Sequence, residues 1–443
     1  MTDKIELLNV NVKDIEFLDR ARKDYKDLNG LLQSFKEKGI IQPVALVKQR
    51  GTGKPFKLLA GGRRFSAAVL GEFLSIPARV YPANLTELDR REIELMENVE
   101  REDLEWKEKV WLTEEVHRLQ VSKKGEAHGS SPGHSARDTA ELIGKSKSEV
   151  SRDRQLAAAL EEYPDEMAVA KNETEALRTL KRIKRRSEDA EAAKKYDVEL
   201  ARNGIDRIRN QLGNAYIVGD FFERVVSAPD GAAALVEIDP PYGMDLKSIK
   251  KTSDPLASYN EIPVEEYDEF LNKLFHECYR VMSTYSWMVC WYATQWYQNI
   301  LDNMRDAGLE PCHIPGIWNK DTVGQTHQPE LRLGSSYEPF IYARKGQPKI
   351  RQPGRSNVFT FRPVSADLKG HPTERPVELI EEIIRTFACG NHMMVPFLGS
   401  GNTLLAASNC NMTGFGYDLG QEYKNAYLAR VQNGEPRKYK SYT

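Results

Sequence analysis

The chain has 443 residues, of which 29% are charged, and its formal net charge is −2. This length predicts two or three domains, and the near-neutral charge excludes a globally basic nucleic-acid binder while allowing local basic patches. The five cysteines have no CxxC spacing, which argues against a zinc site or a disulfide framework. The polar start and the lack of a bilayer-length apolar run predict a cytoplasmic protein with no membrane partner.

Composition and periodicity divide the chain into three predicted regions. They are residues 1–105, 106–200 and 205–443. The first mixes short strands, such as Pro43–Val47, with helices, such as Arg64–Leu70, as in an α+β domain. The second is helical and highly charged. The third alternates strand-like and helix-like runs, which predicts an α/β fold with a parallel sheet covered by helices.

Two glycines precede two arginines at the predicted start of a helix in the first region. Gly61 and Gly62 allow close backbone approach, and Arg63 and Arg64 follow at the helix N-terminus, a combination suited to binding phosphate. Farther on, the adjacent Glu97 and Asn98 supply oxygen ligands of the kind that magnesium prefers.

These residues lie in three segments, Leu32–Pro43, Ala60–Ala68 and Met96–Leu104, that resemble the N-terminal domain of ParB-type partition proteins. In that family the segments bind CTP. The resemblance implies a CTP site with magnesium, and its residues here would be Gly61, Arg63, Arg64, Glu97, Asn98 and Arg101. Gly62 stands where the family has a glutamate associated with nucleotide turnover, so binding is better supported than hydrolysis. A DNA-contact or dimerisation module, in a possible homodimer, is the alternative.

Residues 135–160 predict two short helices joined by a glycine turn at Gly144. Ser146 is a favoured cap for the second helix, and Ala140, Ile143 and Val150 would form the small core between the helices. The pattern is that of a helix-turn-helix, which predicts double-stranded DNA as a partner. The second helix would present Lys147, Ser148, Ser151, Arg152 and Arg154 to the major groove.

A short apolar run ends abruptly in Asp239-Pro240-Pro241-Tyr242 in the third region. The run predicts a buried parallel strand, and the prolines fix the backbone just beyond its end. Ligands of open α/β sheets bind outside the carboxyl ends of the strands. Asp239 and the Pro240 carbonyl could accept hydrogen bonds from the amino group of a planar base, and Tyr242 could stack on its ring. A stiff strand exit without catalytic function is the alternative for this motif alone.

A second glycine-rich turn lies between a predicted strand, His392–Val395, and a helix that begins near Thr403. Gly399 and Gly401 allow close approach of a ligand to the backbone. The next predicted strand ends at Asp418, well placed for the hydroxyls of a ribose. Asp220 occupies a comparable strand end upstream. Together these predict a nucleoside cofactor.

The order of these motifs, with His371-Pro372-Thr373-Glu374-Arg375-Pro376 between them, resembles the β class of DNA amino methyltransferases over residues 210–432. The resemblance implies a Rossmann-like domain that binds S-adenosylmethionine. It assigns catalysis to Asp239, Pro240, Pro241 and Tyr242, and cofactor binding to Asp220, Thr373, Phe397, Gly399, Ser400, Gly401 and Asp418, with no metal. Two positions depart: Val395 replaces the family's aspartate, and Arg375 replaces its lysine.

The resemblance implies methylation of adenine N6, with cytosine N4 as the alternative. A DNA-binding regulator with an impaired methyltransferase half, or methylation of RNA or protein amides, are further alternatives. The glycine- and proline-rich segment Arg344–Arg362 contains six basic residues and no acid, which predicts phosphate contacts, by Arg351 and Arg355 among others. The combination of modules suggests a phage or mobile-element origin.

Overall fold

The computed structural model describes most of the residues of the chain. They are 5–17, 28–49, 51, 53–99, 104–127, 133–202, 206–241, 262–322, 324, 329–365, 369, 371 and 373–441, without the side chains of 29 and 97–99. Two compact units are present, Met1–Leu180 and Lys181–Thr443, and each is described by itself. The division into three regions at 105 and 205 stays a prediction. Within the described ranges, every helix is too short or too polar to span a lipid bilayer.

The strands are β1 Glu6–Asn11, β2 Ile15–Glu16, β3 Val44–Lys48, β4 Phe56–Ala60, β5 Ser75–Tyr81, β6 Tyr216–Val218, β7 Ala233–Ile238, β8 Met282–Trp291, β9 Glu310–Pro311, β10 Gly316–Asn319, β11 Tyr337–Lys345, β12 Val358–Thr360, β13 His392–Val395 and β14 Thr413–Asp418. The helices are α1 Leu28–Lys38, α2 Gly62–Leu70, α3 Glu87–Val99, α4 Trp106–Lys124, α5 Ala136–Ile143, α6 Lys147–Glu162, α7 Pro164–Ala168, α8 Glu173–Ala201, α9 Arg207–Ala215, α10 Phe221–Arg224, α11 Tyr267–Val281, α12 Tyr297–Asp306, α13 Val377–Phe387, α14 Asn402–Asn409 and α15 Gln421–Asn433.

The first unit contains a five-stranded mixed sheet in the order β1-β5-β3-β4-β2. Alternate residues of β5, namely Ile76, Ala78 and Val80, are buried, because successive side chains of a strand point to opposite faces. Phe65 and Ala68 on α2 pack into the same core. This arrangement confirms the predicted α+β domain.

The predicted helix-turn-helix is α5 and α6, joined through Gly144 in the left-handed conformation with a φ of 69°. The Ser146 side chain accepts a hydrogen bond from the Glu149 N–H, and the Glu149 side chain accepts one from the Ser146 N–H in return. This capping box satisfies N–H groups that would otherwise lack partners at the start of α6. Ala140 and Val150 are buried, as predicted, whereas Ile143 is half-buried and packs against Leu95, Val116 and Leu119.

The second unit is built on a sheet in the order β12-β10-β11-β8-β7-β13-β14-β6. Strands β8, β7, β13, β14 and β6 run parallel to one another, and β11 pairs antiparallel with β8. Helices cover both faces, and each face has its own apolar core. The parallel strands, helices on both faces and glycine turn after β13 are those of a Rossmann-like α/β domain, as predicted.

Candidate active site

A cavity of about 510 Å³ lies at the carboxyl ends of the central parallel strands of the second unit. Each of the four strands β6, β7, β13 and β14 supplies polar or aromatic residues to its wall where the strand ends. In this order they are Asp220, then Glu237 and Asp239, then Phe397, then Asp418. The sheet therefore brings together acids that are far apart in the sequence.

The turn after β13 requires glycine at two positions. Gly399 and Gly401 have φ angles of 51° and 72°, which L side chains rarely adopt. A Cβ at Gly401 would lie 2.4 Å from Cδ2 of Tyr427, and one at Gly399 would lie 3.2 Å from Nδ1 of His371. The hydroxyl of Tyr216 donates to the Gly399 carbonyl at 2.8 Å and fixes the turn. Ser400 also lines the cavity, so the predicted cofactor turn forms one wall.

Asp418 is held by backbone donors at the end of β14. Its two carboxylate oxygens accept from the N–H groups of Gly399 and Gly420, each at 2.8 Å. Burial raises the pKa of Asp418, and the two N–H donors act in the opposite direction. Each carboxylate oxygen can accept a second hydrogen bond, so Asp418 remains able to bind a hydroxyl.

Asp220 follows β6 and caps α10, where its Oδ1 accepts from the N–H groups of Phe222 and Glu223 at 2.9 and 3.2 Å. Aromatic rings adjoin it in the cavity wall. Phe397 lies with its ring centroid 5.9 Å from that of Phe221 and 6.1 Å from that of Phe270. A carboxylate beside an apolar aromatic wall suits a flat heterocycle with polar edges.

Asp239, which directly follows β7, is bound by Arg375. The Arg375 guanidinium approaches both carboxylate oxygens, with Nη2 3.0 Å from Oδ1 and Nη1 2.5 Å from Oδ2. The hydroxyl of Thr373 donates to Oδ2 at 3.3 Å. Arg375 also pairs with Glu338 at 3.1 Å and lies over the ring of Trp291, 4.1 Å from its centroid. These contacts join Asp239, the first residue of its motif, to the segment that carries Thr373 and Arg375.

The ring of His371 is neutral and contacts Thr373, the residue whose hydroxyl donates to Asp239. Its Nδ1 accepts from the Thr373 N–H at 3.3 Å, and burial lowers its pKa to about 4. The ring packs edge-on against Tyr423 at 4.6 Å between centroids. His371 therefore supports Thr373 and the Gly399 turn without carrying charge at neutral pH.

Glu237 is an acid that the sequence analysis left without a role. It is 3% exposed, and it accepts hydrogen bonds from Trp291 Nε1 at 2.6 Å and from the Thr403 hydroxyl at 3.1 Å. Burial raises its pKa to about 7, while the Arg375 charge acts in the opposite direction. A glutamate inside an apolar strand, two positions before Asp239 and so on the same face, was the available signal.

Of the three motif residues that follow Asp239, the structure describes the two prolines. Pro240 is buried and Pro241 lines the cavity. Tyr242 lies outside the described residues, so its stacking role stays a prediction.

Arg355 in the predicted basic loop is paired within the fold. Its Nε is 2.9 Å from Oε1 of Glu382, and its guanidinium lies 3.6 Å above the ring of Phe359. Arg351 donates from Nη1 to the Ala388 carbonyl at 3.5 Å. Glu382 and Ala388 lie 27 and 37 positions from their arginines, so the lack of acids within the loop itself did not reveal these two contacts. A phosphate contact by either arginine stays a prediction.

Three residues of the predicted CTP site in the first unit, Gly61, Arg63 and Arg64, are described in full. Gly61 has a φ of 96°, and a Cβ there would lie 2.8 Å from Cγ1 of Val44, so glycine is required. Arg64 donates to the Pro43 carbonyl at 2.8 Å, and Arg63 beside it is the second residue of α2. The side chains of Glu97 and Asn98 and all of Arg101 lie outside the described residues, so the magnesium prediction is untested.

The predicted groove-facing side chains of α6 differ in exposure. Lys147 and Ser148 are exposed, whereas Arg152 is half-buried. Arg154 pairs with Glu114 of α4 at 3.0 Å. Lys147 and Ser148 are therefore the better candidates for DNA contact.

Comparison with known proteins finds a family match in each of two parts of the chain. Residues 233–429 match the DNA methylase family and residues 2–99 match the ParB N-terminal domain. The type II methyltransferase M.BglII of Bacillus subtilis is 26% identical over 261 residues, which cover 49% of this chain and 68% of that protein. The chromosome-partitioning protein Spo0J of Thermus thermophilus is 40% identical over 85 residues, which cover 19% of this chain and 30% of that protein.

A solved structure, the M1.HpyAVI–SAM complex, is 18% identical and covers 49% of this chain and 98% of its own, with a TM-score of 0.39. The chain thus matches most of a methyltransferase but less than a third of the partition protein. The two sets of motifs, the Rossmann-like sheet and the two family matches agree. Residues 233–429 of the chain thus match the DNA methylase family, and the residues ahead of them, 2–99, match the ParB N-terminal domain.

Proposed function

We propose that the second unit transfers a methyl group from S-adenosylmethionine to the exocyclic amino group of a base in double-stranded DNA. The observation that carries this proposal is Asp239, a carboxylate at the end of β7 on the wall of the 510 Å³ cavity. It combines a base-binding acid with a cofactor-sized space at the edge of one sheet.

The residues of the cavity fit S-adenosylmethionine. The adenine would lie beside Asp220 and the aromatic wall, and Asp418 would accept from the ribose hydroxyls. The methionine end would then lie near Gly399, Ser400, Gly401, Thr373 and Phe397. Asp220, Asp418 and the Gly399 turn follow β6, β14 and β13, which are neighbours in the sheet about 5 Å apart, so an extended ligand would cross toward Asp239 at the end of β7. When bound, the cofactor supplies an electrophilic sulfonium methyl.

Asp239 retains capacity for the base. A carboxylate offers about four acceptor positions. Arg375 and Thr373 account for three contacts, two of them on Oδ2. A base amino group could therefore donate to Oδ1. This contact would localise the nitrogen lone pair and direct it at the methyl, so orientation would supply much of the rate.

The target base must leave the duplex to reach the cavity, at a cost of a few kcal/mol. Tyr242 would offset part of this cost by stacking. We favour adenine N6 over cytosine N4 because the motif begins with aspartate. The test is transfer of labelled methyl to duplex DNA, followed by nucleoside digestion and mass spectrometry. N6-methyladenine is expected. N4-methylcytosine would overturn the base assignment, and DNA binding without any transfer would favour the regulator alternative.

The first unit would hold the enzyme on duplex DNA through α6, and its ParB domain would bind CTP with magnesium. We expect Lys147→Ala to weaken binding to all duplex sequences alike and to lower the slope of log affinity against log salt by about 1, because one phosphate contact is lost. Fluorescence anisotropy over a salt series measures both. Lys109→Ala, at an exposed lysine of α4, is the matched control. An unchanged slope in Lys147→Ala would remove α6 from the DNA interface.

A further inference from the structure

Glu237 differs from the neighbouring carboxylates in what holds it. Asp239 is paired with Arg375, and the buried Glu374 lies 3.5 Å from Nη1 of Arg430. The oxygens of Glu237 instead accept from neutral groups, the indole N–H of Trp291 and the hydroxyl of Thr403. Both donors orient the carboxylate and leave its charge without a directly bonded cation in the described contacts. Burying such a charge is costly unless a cation comes to it.

The position of Glu237 in the sheet adds a second observation. Strand β7 pairs in parallel with β13, with Leu235 opposite Met393 and Val236 opposite Met394. Continuing this register places Glu237 beside Val395. The side chains of Leu235, Met393 and Val395 lie in the same apolar core, so Glu237 and Val395 are on the same face. A carboxylate on β7 therefore lies next to an apolar residue on β13, at the edge of the cavity.

The strand order fixes which part of a ligand would meet this carboxylate. Asp220 and Asp418 terminate β6 and β14, and β13 and β7 follow in the sheet. A nucleoside beside the first two strands places its 5′ substituent over the second two. In S-adenosylmethionine that substituent ends in an amino acid, which carries an ammonium group.

We propose that Glu237 is the acceptor for the α-ammonium group of the cofactor, with Trp291 and Thr403 as the residues that position it. The proposal rests on the proposed function and deepens it, because it assigns a charge-recognition subsite within the same cavity. A neutral or apolar side chain at Val395 is then tolerated, since the acid is supplied by the adjacent strand.

The test compares two ligands that differ only in this group, S-adenosylhomocysteine and its desamino analogue, by calorimetry on the full chain. Glu237→Gln keeps the shape of the side chain and removes its charge. We expect the variant to bind S-adenosylhomocysteine about 10- to 100-fold more weakly, as for loss of a hydrogen bond between charged groups. Binding of the desamino analogue should change less than about threefold. Glu269→Gln, at an exposed glutamate of α11, should alter neither affinity.

The outcomes separate the two proposals. Equal loss of affinity for both ligands in Glu237→Gln would mean that Glu237 only shapes the cavity, and would overturn this inference. Equal binding of both ligands by the unmodified chain would do the same. If the unmodified chain bound neither ligand, the proposed function itself would fail. Glu237→Asp, which keeps the charge on a shorter side chain, should recover part of the preference for S-adenosylhomocysteine.

Discussion

Asp239→Asn is expected to reduce methyl transfer to DNA on the order of 10²- to 10³-fold, the usual cost of removing one preorganised group that acts on the reacting atoms. Asparagine keeps one carbonyl oxygen but brings an N–H₂ group that repels the donors of Arg375 and the base. Single-turnover transfer of labelled methyl to duplex DNA measures the loss. Binding of S-adenosylhomocysteine, measured alongside, should stay within about tenfold, because the proposed mechanism places Asp239 against the base rather than the amino-acid end of the cofactor.

Glu338→Gln separates catalysis by Asp239 from its pairing with Arg375. Glu338 contacts the same guanidinium at 3.1 Å, so its variant disturbs Arg375 while leaving Asp239 in place. We expect the transfer rate of Glu338→Gln to fall less than about tenfold. If both variants lost activity equally, Asp239 would act only by positioning Arg375. Transfer by Asp239→Asn at nearly the original rate would remove it from the mechanism.

Features specified by neighbouring residues were predictable from the sequence. The cap at Ser146 and the turns at Gly144, Gly399 and Gly401 are local, and residues a few positions apart determine them. The strand ending at Ile238 was likewise visible as an apolar run followed by two prolines. Because parallel strands end at one edge of the sheet, the strand ends predicted that Asp220, Asp239 and Asp418 would meet, but not Glu237.

Contacts between distant segments were not predictable in the same way. The fork that joins Arg375 to Asp239 spans 136 positions, and the bond from Trp291 to Glu237 spans 54. Neither spacing has a local signature. The basic loop shows the converse, since Arg355 is neutralised by Glu382, 27 positions away. Charge counted within a sequence window therefore overestimated what that loop presents to solvent.

Contacts between distant segments also bear on the two positions, Val395 and Arg375, that depart from the methyltransferase pattern. Arg375 holds both oxygens of Asp239 at once, which the single ammonium of a lysine cannot do in this planar geometry. It also lies over Trp291, which donates to Glu237. Direct contacts thus connect Asp239, through Arg375 and Trp291, with Glu237 beside Val395. A substitution at Asp239 should therefore alter the position of Glu237, and a substitution at Glu237 should alter that of Asp239.

Glu237 should also make the stability of the methylase domain depend on pH. Its pKa in the folded chain is about 7, raised by burial from an ordinary value of 4.5. The folded state therefore keeps this proton more tightly than the unfolded state does. The stability contributed by the protonated group is fully present below pH 4.5 and is lost as pH rises toward and through 7, by about 3 kcal/mol in all.

Glu237→Gln should remove this dependence, because glutamine does not titrate. Relative to the unmodified chain, the variant should gain about 3 kcal/mol in free energy of unfolding between pH 4.5 and pH 8, as followed by urea denaturation in the absence of ligand. Glu269→Gln should parallel the unmodified chain at every pH. Parallel curves for Glu237→Gln as well would show an ordinary pKa. Because an ammonium group binds the ionised acid, S-adenosylhomocysteine should bind the unmodified chain more tightly as pH rises from 6 to 8, and the variant should lack this trend.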